Sequence, residues 1–486
     1  MKTARRAEPR KNTAPSPASL LRLLAGLGAV FFLGSALLAV FTPYPSEFSR
    51  RERLAFSFPL GTLPLTLWML VLSWVGLPFS LPLILGPLAA LGGFGFFLFR
   101  VRGRARPKAQ HPLPPSFPTP AATPYGWLDW LFLGLLTLLF FYATLQAMLN
   151  PMWAWDAIAT WGLKAKVFYG SRAVDLSYID AHNYYPNLLP LLLTYLYFCL
   201  GQVNDQLVNA VFPLWGALLL TLLYSLLLRM GLNRRQALGT TTFFALNGTV
   251  FIGHLVIAYA DLALAYFTLA AAGLLYLWLA DMAPRGSLGL AALSFAGMAW
   301  CKYEGPPLAG TLILAAALTL LWLRSPGLGR RLLELAWPLA GLALGFLPWR
   351  LFSAFNAIEV GSDHIHNIYP HQMCKAVSFL LTTISHPFYF GFLWPAAALA
   401  LILAGRRLFN TPQLFLALFL GGNLLAIILA YGLAPTSAAE FPQYILATMD
   451  RLLLHLTPVA ALLVGEGVKE LGGGLGDVEQ APSPVS

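Results

Sequence analysis

The segment NPMWAWDAIATWGLKAKVFYG, at residues 150–170, places one carboxylate, Asp156, among tryptophans beside a long apolar run. A carboxylate at a membrane boundary must be solvated, paired or functional, because burying it alone is costly. If the segment is helical, Trp153, Asp156 and Thr160 share one face at i, i+3 and i+7, with Lys164 four residues further on. An acid and a lysine beside aromatic rings suit a polar headgroup better than lipid tails. The alternative, a solvated helix face above the membrane, stays open.

Cations also occur in this loop, although positively charged residues usually stay on the cytoplasmic side of a membrane. They are Lys164, Lys166 and Arg172. If the loop is on the outer side, an anionic ligand such as a phosphate would explain them. Alternatively, they pair with Asp175 and Asp180 of the same loop.

Three more charged residues lie at the ends of apolar runs further along the chain. Asp261 starts a run, where it either caps a helix or lines a site. Lys302 and Glu304 close a short apolar run. A helical hairpin would bring both charges near the level of Asp156, and a local ion pair between them is the alternative.

Two further candidates flank other apolar runs. Arg451 follows Asp450 at the start of the last run, with His455 one helical turn later, so Arg451 either pairs with Asp450 or binds a phosphate. Tyr185 directly precedes Pro186, a residue favoured in the first turn of a helix. We expect a short helix to begin there at the outer interface.

Histidines gather in the loop at residues 356–375, which contains Asp363, His364, His366 and His371. Three histidines and an aspartate can bind a divalent metal. The sequence DHIH in a loop is a weak signal, so a divalent metal is possible and no cofactor is required.

The composition that surrounds these residues is that of a membrane protein. Of 486 residues, 58% are hydrophobic and only 10% are charged, whereas soluble domains carry about 25% charged residues. The net charge of +11 lies mostly in short loops between apolar runs, where it indicates topology rather than nucleic-acid binding. The three cysteines have neither metal-ligand spacing nor a disulfide pattern.

The apolar runs predict an all-α, polytopic transmembrane helical bundle with about 11 to 13 spans and a large first outer loop. Five basic connectors should be cytoplasmic, at residues 100–108, 229–235, 283–287, 324–334 and 405–409. Half of the 20 acids then lie on the outer face of residues 150–464. They are Asp156, Asp175, Asp180, Asp205, Asp261, Glu304, Glu359, Asp363, Glu440 and Asp450. This segregation predicts a site on the outer side.

The chain divides into three parts by composition. Residues 1–125 resemble an added helical module with a Pro-rich basic linker, 126–464 form the main membrane domain, and 465–486 are expected to be a disordered tail. We expect the first apolar run to be retained as a span, because no small-residue cleavage site follows it. Three spans in the first part would place the basic amino terminus outside, against the charge rule.

Several motifs, taken in order, resemble the GT-C class of polytopic glycosyltransferases, in particular bacterial members related to protein mannosyltransferases and lipopolysaccharide sugar transferases. The resemblance covers roughly residues 127–464. It rests on WAWDAIATWGLKAKVFYG, YYPNLLPLL, YADLALAYF, AWCKYEG and DRLLLHLTP. The chain departs from the class pattern at Ala157, where many members have a second acid, and at Tyr303, where members often have asparagine.

The resemblance implies an enzyme that transfers a sugar, with inversion, from a polyprenyl-phosphate carrier to a glycan, lipid or protein acceptor at the outer face of a bacterial plasma membrane. Asp156 matches the acid of the first outer loop and would be the catalytic base. Trp153 and Trp155 would stack on sugars unless they form an interfacial aromatic belt. Substrate-binding roles fall on Lys164, Lys166, Tyr185, Asp261, Lys302, Glu304 and Arg451. A transporter or lipid flippase, or a non-catalytic scaffold, remains the alternative.

Overall fold

The computed structural model describes residues 16–42, 47–104, 124–177, 179, 181–358, 368–437 and 439–479. About 80% of the chain is helical, and the described residues contain no strand. The all-α prediction is therefore confirmed. The helices are α1 Pro17–Phe41, α2 Arg50–Trp74, α3 Leu81–Arg104, α4 Trp127–Leu149, α5 Leu163–Ser171, α6 Leu188–Leu200, α7 Asp205–Val208, α8 Val211–Arg229, α9 Arg234–Leu246, α10 Thr249–His254, α11 Asp261–Leu279, α12 Ser287–Cys301, α13 Gly305–Trp322, α14 Leu328–Glu334, α15 Ala336–Phe355, α16 Pro370–Ser385, α17 Pro387–Phe390, α18 Leu393–Ala404, α19 Gln413–Leu433, α20 Phe441–Leu454 and α21 Thr457–Glu479.

Nine helices in the described ranges are long and apolar enough to cross a membrane, or ten if the bent pair α20–α21 counts as one span. This is fewer than the 11 to 13 spans predicted. Several apolar runs form shorter pieces, because Asn247–Gly248 separates α9 from α10, and Gly391 separates α17 from α18. Both glycines have positive φ, which ends a helix readily.

The contacts of α2 show at which end of the bundle α1 begins. Glu52, near the start of α2, pairs with Arg229 of a basic connector. Trp74, at the other end of α2, packs on Phe352 near the end of α15. Since α1 runs antiparallel to α2, its first residue lies at the same end as Trp74. We call this the outer end, and the end with the basic connectors the inner end.

Helix α2 packs deep in the bundle. Tyr266 of α11 donates a hydrogen bond to the carbonyl of Ala55 at 2.8 Å, and Trp300 of α12 donates to Thr66 Oγ1 at 2.8 Å. The predicted domain boundary at residue 125 stays a prediction. The helices before it share their core with the helices after it.

The carboxy-terminal boundary predicted at residue 464 falls inside helix α21, which spans Thr457–Glu479. The predicted tail at residues 465–486 stays a prediction, and 480–486 lie outside the described residues. Glu466 is buried and accepts hydrogen bonds from Tyr276 at 2.8 Å and Gln413 at 3.0 Å. These buried hydrogen bonds connect α21 to α11 and α19 just past the apolar run.

Candidate active site

Asp261, the first residue of α11, is the centre of a charged cluster at the outer end. Its carboxylate is fully buried and lies 2.8 Å from Lys302 Nζ, 3.1 Å from Arg451 Nη2 and 3.1 Å from His455 Nε2. A helix cap was one of its two predicted roles, but the N-cap of α11 is Ala260, and the Asp261 carboxylate bonds to residues of two other segments. Asp261 therefore joins three segments of the bundle instead of capping one.

Arg451 connects Asp261 to Asp156. Its Nη1 lies 2.6 Å from Asp156 Oδ2, while its guanidinium stacks 4.4 Å from the ring centroid of Tyr259. Asp450 was the alternative partner predicted for Arg451. Between these two residues, the described contact is a hydrogen bond from the backbone N–H of Arg451 to the Asp450 carboxylate. The arginine thus bridges two carboxylates that are far apart in the sequence, and planar guanidinium geometry suits such a bridge.

Lys302 and Glu304 extend the cluster between α12 and α13. Lys302 Nζ lies 2.9 Å from Glu304 Oε1, so the predicted local pair exists in addition to the contact with Asp261. Burial lowers the pKa of Lys302, but the two carboxylates outweigh it and raise that pKa above its ordinary value. Burial raises the pKa of Glu304, but Lys302 outweighs it and lowers that pKa. Both groups are therefore charged near neutral pH.

One oxygen of Glu304 has no partner. Its Oε1 is shared between Lys302 and the hydroxyl of Tyr185, the latter at 3.4 Å, whereas its Oε2 is buried without a hydrogen bond. Buried carboxylate oxygens are normally satisfied by protein or water. This oxygen can accept a hydrogen bond from a ligand hydroxyl.

Aromatic rings pack beside the cluster. Tyr184 and Tyr185 are stacked with centroids 5.0 Å apart, Tyr303 lies edge-on to Tyr184 at 5.3 Å, and Trp161 lies 5.5 Å from Tyr185. We call these four residues the aromatic layer. Trp349 of α15 holds the layer by donating a hydrogen bond to the carbonyl of Tyr184 at 2.7 Å.

The first loop is helical from Trp155 onward, with a π-helical turn at Ala157–Gly162 ahead of α5. Trp153 precedes this helix, so it does not share the helical face that was predicted for it with Asp156 and Thr160. Trp153 and Trp155 are 60% and 76% exposed, and the described structure does not bring either of them into the cluster. A π-turn is rare and often occurs at functional sites, and here it directly follows Asp156.

The two lysines of this loop have separate partners. Lys164 is fully buried and donates to the carbonyl of His182 at 2.7 Å, and burial lowers its pKa to about 7. Lys166 pairs with Asp205 at 2.7 Å. Neither pairs with Asp175, whose carboxylate accepts from Ser177, and Asp180 lies outside the described residues. Neither lysine pairs with Asp156 in the described structure, and their predicted substrate-binding roles stay predictions.

The structure adds two residues that the sequence did not assign to a site. His455 contacts Asp261, and its position one turn after Arg451 is a signal that could have indicated this. Tyr259 supplies the ring under Arg451, and nothing in its sequence position distinguishes it from an interfacial tyrosine.

The predicted histidine loop does not supply a metal site within the described structure. His371 is exposed on α16, and Asp363, His364 and His366 lie outside the described residues. Across the ranges that the structure describes, no group of three or more His, Cys, Asp or Glu side chains could hold a metal ion.

The cluster can offset charge of either sign. Three carboxylates face two permanent cations, which leaves one net negative charge when His455 is neutral. In a site of low dielectric such groups act strongly on a charged transition state. No family model, curated protein or solved structure matches the chain.

Proposed function

We propose that the chain is a membrane glycosyltransferase of a bacterial plasma membrane. It would move a sugar from a polyprenyl-phosphate donor to an acceptor hydroxyl at the outer end of the bundle. The observation that carries this proposal is the ion-paired cluster of Asp156, Arg451, Asp261, Lys302 and Glu304, partly buried at one end of an apolar bundle. Ionisable groups at membrane depth are costly and are usually retained for function.

The reaction is a single displacement at the anomeric carbon. The acceptor oxygen forms a bond to that carbon while the bond from the carbon to the phosphate oxygen breaks, and its electron pair leaves on the phosphate. The hydroxyl proton passes to the Asp156 carboxylate, which acts as general base. Attack from the face opposite the phosphate inverts the configuration.

The ion pairs define what the other residues contribute. Arg451 orients Asp156 through a charge-assisted hydrogen bond. Positive charge that develops on the sugar is stabilised by the net negative cluster. Lys302 and Arg451 are already paired with Asp261, so a donor phosphate has to share them with this acid.

Replacing Asp156 with asparagine tests the assignment. We expect Asp156→Asn to reduce sugar transfer at least about a thousandfold, because the base is lost while the shape is kept. The assay follows a labelled sugar released from short-chain polyprenyl phosphate by the purified protein in nanodiscs. Asp205→Asn is the matched control, since Asp205 pairs with Lys166 outside the cluster. An active Asp156→Asn protein that still folds would refute the role of Asp156.

A transporter or lipid flippase is the second candidate, and interrupted helices favour it. Asn247, between α9 and α10, accepts a hydrogen bond from the Phe392 backbone at 2.9 Å, so two helix breaks meet. At about 1.5 Å per residue, α9 and α18 place this meeting point roughly 20 Å from the inner end. Broken helices are typical of transporter sites. The charged cluster, however, lies at the outer end of the bundle, farther from the inner end than these helix breaks.

Reconstituted vesicles distinguish the two functions. A labelled polyprenyl-phosphate sugar that crosses the bilayer intact indicates a transporter. Cleavage of the sugar from its carrier, without net movement of the lipid, indicates a transferase.

A further inference from the structure

A cavity of about 920 Å³ lies at the outer end, beside the charged cluster but outside it. Residues within 171–177 and 182–184 form one wall, and Phe352 with residues 356–358 forms the other. Its volume is at the upper end of the usual range for ligand pockets, roughly 300–1,000 Å³. None of the ion-paired residues of the cluster lines it, so the cavity needs a separate explanation.

The lining is polar without being cationic. Ser177 and Asn356 contribute a hydroxyl and an amide from opposite walls. Among the lining residues that the structure describes, Asp175 is the one carboxylate and no lysine or arginine occurs. Burial lowers the pKa of His182, so its imidazole is neutral at pH 7. A phosphate would require cationic partners. Neutral donors and acceptors suit a neutral molecule rich in hydroxyl groups.

An aromatic ring completes this lining. Phe352 faces the cavity and is stacked on Trp349, with centroids 5.6 Å apart and planes within 15°. This packing keeps the ring in one orientation. A fixed ring beside hydrogen-bonding groups provides an apolar face for the C–H side of a sugar ring.

A buried polar atom beside the cavity also lacks a partner. Asn183, which lines the cavity, has a buried Oδ1 without a hydrogen-bond partner. Buried polar groups of this kind are usually satisfied by water or by a ligand. The wall that contains Asn183 therefore has unused hydrogen-bonding capacity.

The aromatic layer lies between the cavity and the charged cluster. Tyr184 lines the cavity and stacks on Tyr185, whose hydroxyl reaches Glu304. A molecule held in the cavity therefore lies one layer of rings away from the Glu304 carboxylate and from the cluster that contains Asp156. The stacked pair Tyr184–Tyr185 therefore connects the cavity with the charged cluster.

We infer that this cavity is the acceptor site and that it takes a neutral, hydroxyl-rich acceptor, namely a sugar unit of a glycan. The inference rests on the proposed function. Ser177, Asn356 and Asn183 bind hydroxyls of the acceptor, and Phe352 supports its ring. The reacting hydroxyl extends past Tyr184 to the cluster, where its proton passes to Asp156 as described above.

Filling the cavity tests the inference. Ser177 and Asn356 are exposed positions on the two walls, so Ser177→Trp and Asn356→Trp narrow the space without disturbing a packed core. Ala354→Trp is the matched control, because Ala354 is exposed on α15 and does not line the cavity. Size-exclusion chromatography and thermal unfolding identify any variant that fails to fold. If one of the two cavity variants fails to fold, the variant on the other wall provides the test.

The assay uses full-length protein in nanodiscs with labelled short-chain polyprenyl-phosphate sugars as donors. Soluble oligosaccharides and serine- and threonine-containing peptides are supplied separately as acceptors. Transfer to the acceptor and hydrolysis of the donor by water are measured together. We expect both cavity variants to lower the ratio of oligosaccharide transfer to hydrolysis about tenfold or more, and Ala354→Trp to leave it unchanged.

An unchanged ratio in both folded cavity variants would overturn the acceptor site. Transfer to peptides but to no oligosaccharide would overturn the sugar acceptor. If the wild-type protein shows neither hydrolysis nor transfer with any donor, the proposed function fails, and the acceptor site fails with it.

Discussion

At the scale of single residues, the cluster depends on Asp261, because this one buried carboxylate faces Lys302, Arg451 and His455. Each cation has a second carboxylate partner as well, Glu304 for Lys302 and Asp156 for Arg451. Removing the central charge leaves two cations in a poorly solvated place with one partner each. Breaking a buried pair in this way usually costs more than the pair contributes.

Asp261→Asn should therefore lower the free energy of unfolding by about 3–5 kcal/mol. Asp281→Asn is the control, because Asp281 is 82% exposed, pairs with Arg331, and should change stability by less than about 1 kcal/mol. Chemical denaturation in detergent measures both variants. Equal effects would contradict the central role of Asp261.

Lys164 predicts a pH dependence of stability. Burial lowers its pKa to about 7 in the folded chain, against 10.5 for the ordinary group, so the folded protein binds fewer protons than the unfolded chain between these values. Stability contributed by this residue is complete above pH 10.5 and is lost as the pH falls to about 7, by up to about 1.4 kcal/mol per unit.

Lys164→Met should remove that dependence and raise stability at pH 7, because methionine has no charge to desolvate. Lys166→Met, in the same helix, should keep the wild-type slope, since Lys166 is 41% exposed and paired. Unfolding free energies at pH 7, 8 and 9 give the slopes. A wild-type slope in Lys164→Met would show that another group titrates.

At the scale of elements, α1 and α2 cross at two glycines. A side-chain carbon at Gly34 would clash with the carbonyl of Ser57, and one at Gly61 would clash with the carbonyl of Val30. Small residues that let two backbones approach are typical of helix pairs in membranes. This close approach holds α1 against α2, which packs in the bundle core.

Gly34→Ala should lower stability by about 1–3 kcal/mol, because the two helices must separate to admit the methyl group. Gly28→Ala, on the same helix, has open space around it and should be neutral or stabilising by up to about 1 kcal/mol. Thermal unfolding in one detergent compares the two variants. Equal unfolding midpoints for the two variants would contradict a close backbone contact between α1 and α2 at Gly34.

At the scale of the whole molecule, α1 begins at the outer end, so α1, α2 and α3 are three candidate spans that end at the inner end. This arrangement places the start of α1 at the same end as the cluster, although the charge rule predicts a cytoplasmic position for the basic residues that precede α1 in the sequence. Packing of α2 against α8, α11 and α12 fixes the orientation.

Cysteine labelling tests this topology. With Cys374 replaced by serine, Ser16→Cys and Ser177→Cys should react with a membrane-impermeant maleimide from one side of the membrane, and Arg407→Cys only from the other. Cys374 is the exposed native thiol and would otherwise be labelled. Labelling of Ser16→Cys together with Arg407→Cys would show that α1 does not span as described.

The sequence by itself determined the all-helical, multi-pass membrane class, because lipid allows few spanning structures. It could not determine the number of spans, since one Asn–Gly pair inside an apolar run is enough to break a helix. The tertiary structure alone decided the cluster, in which Arg451 meets Asp156 across 295 positions of sequence and Asp261 across 190. It also separated Lys164 and Lys166 from that cluster. A sequence gives the end of the bundle at which a residue lies, but which atoms meet there depends on how the helices pack against each other.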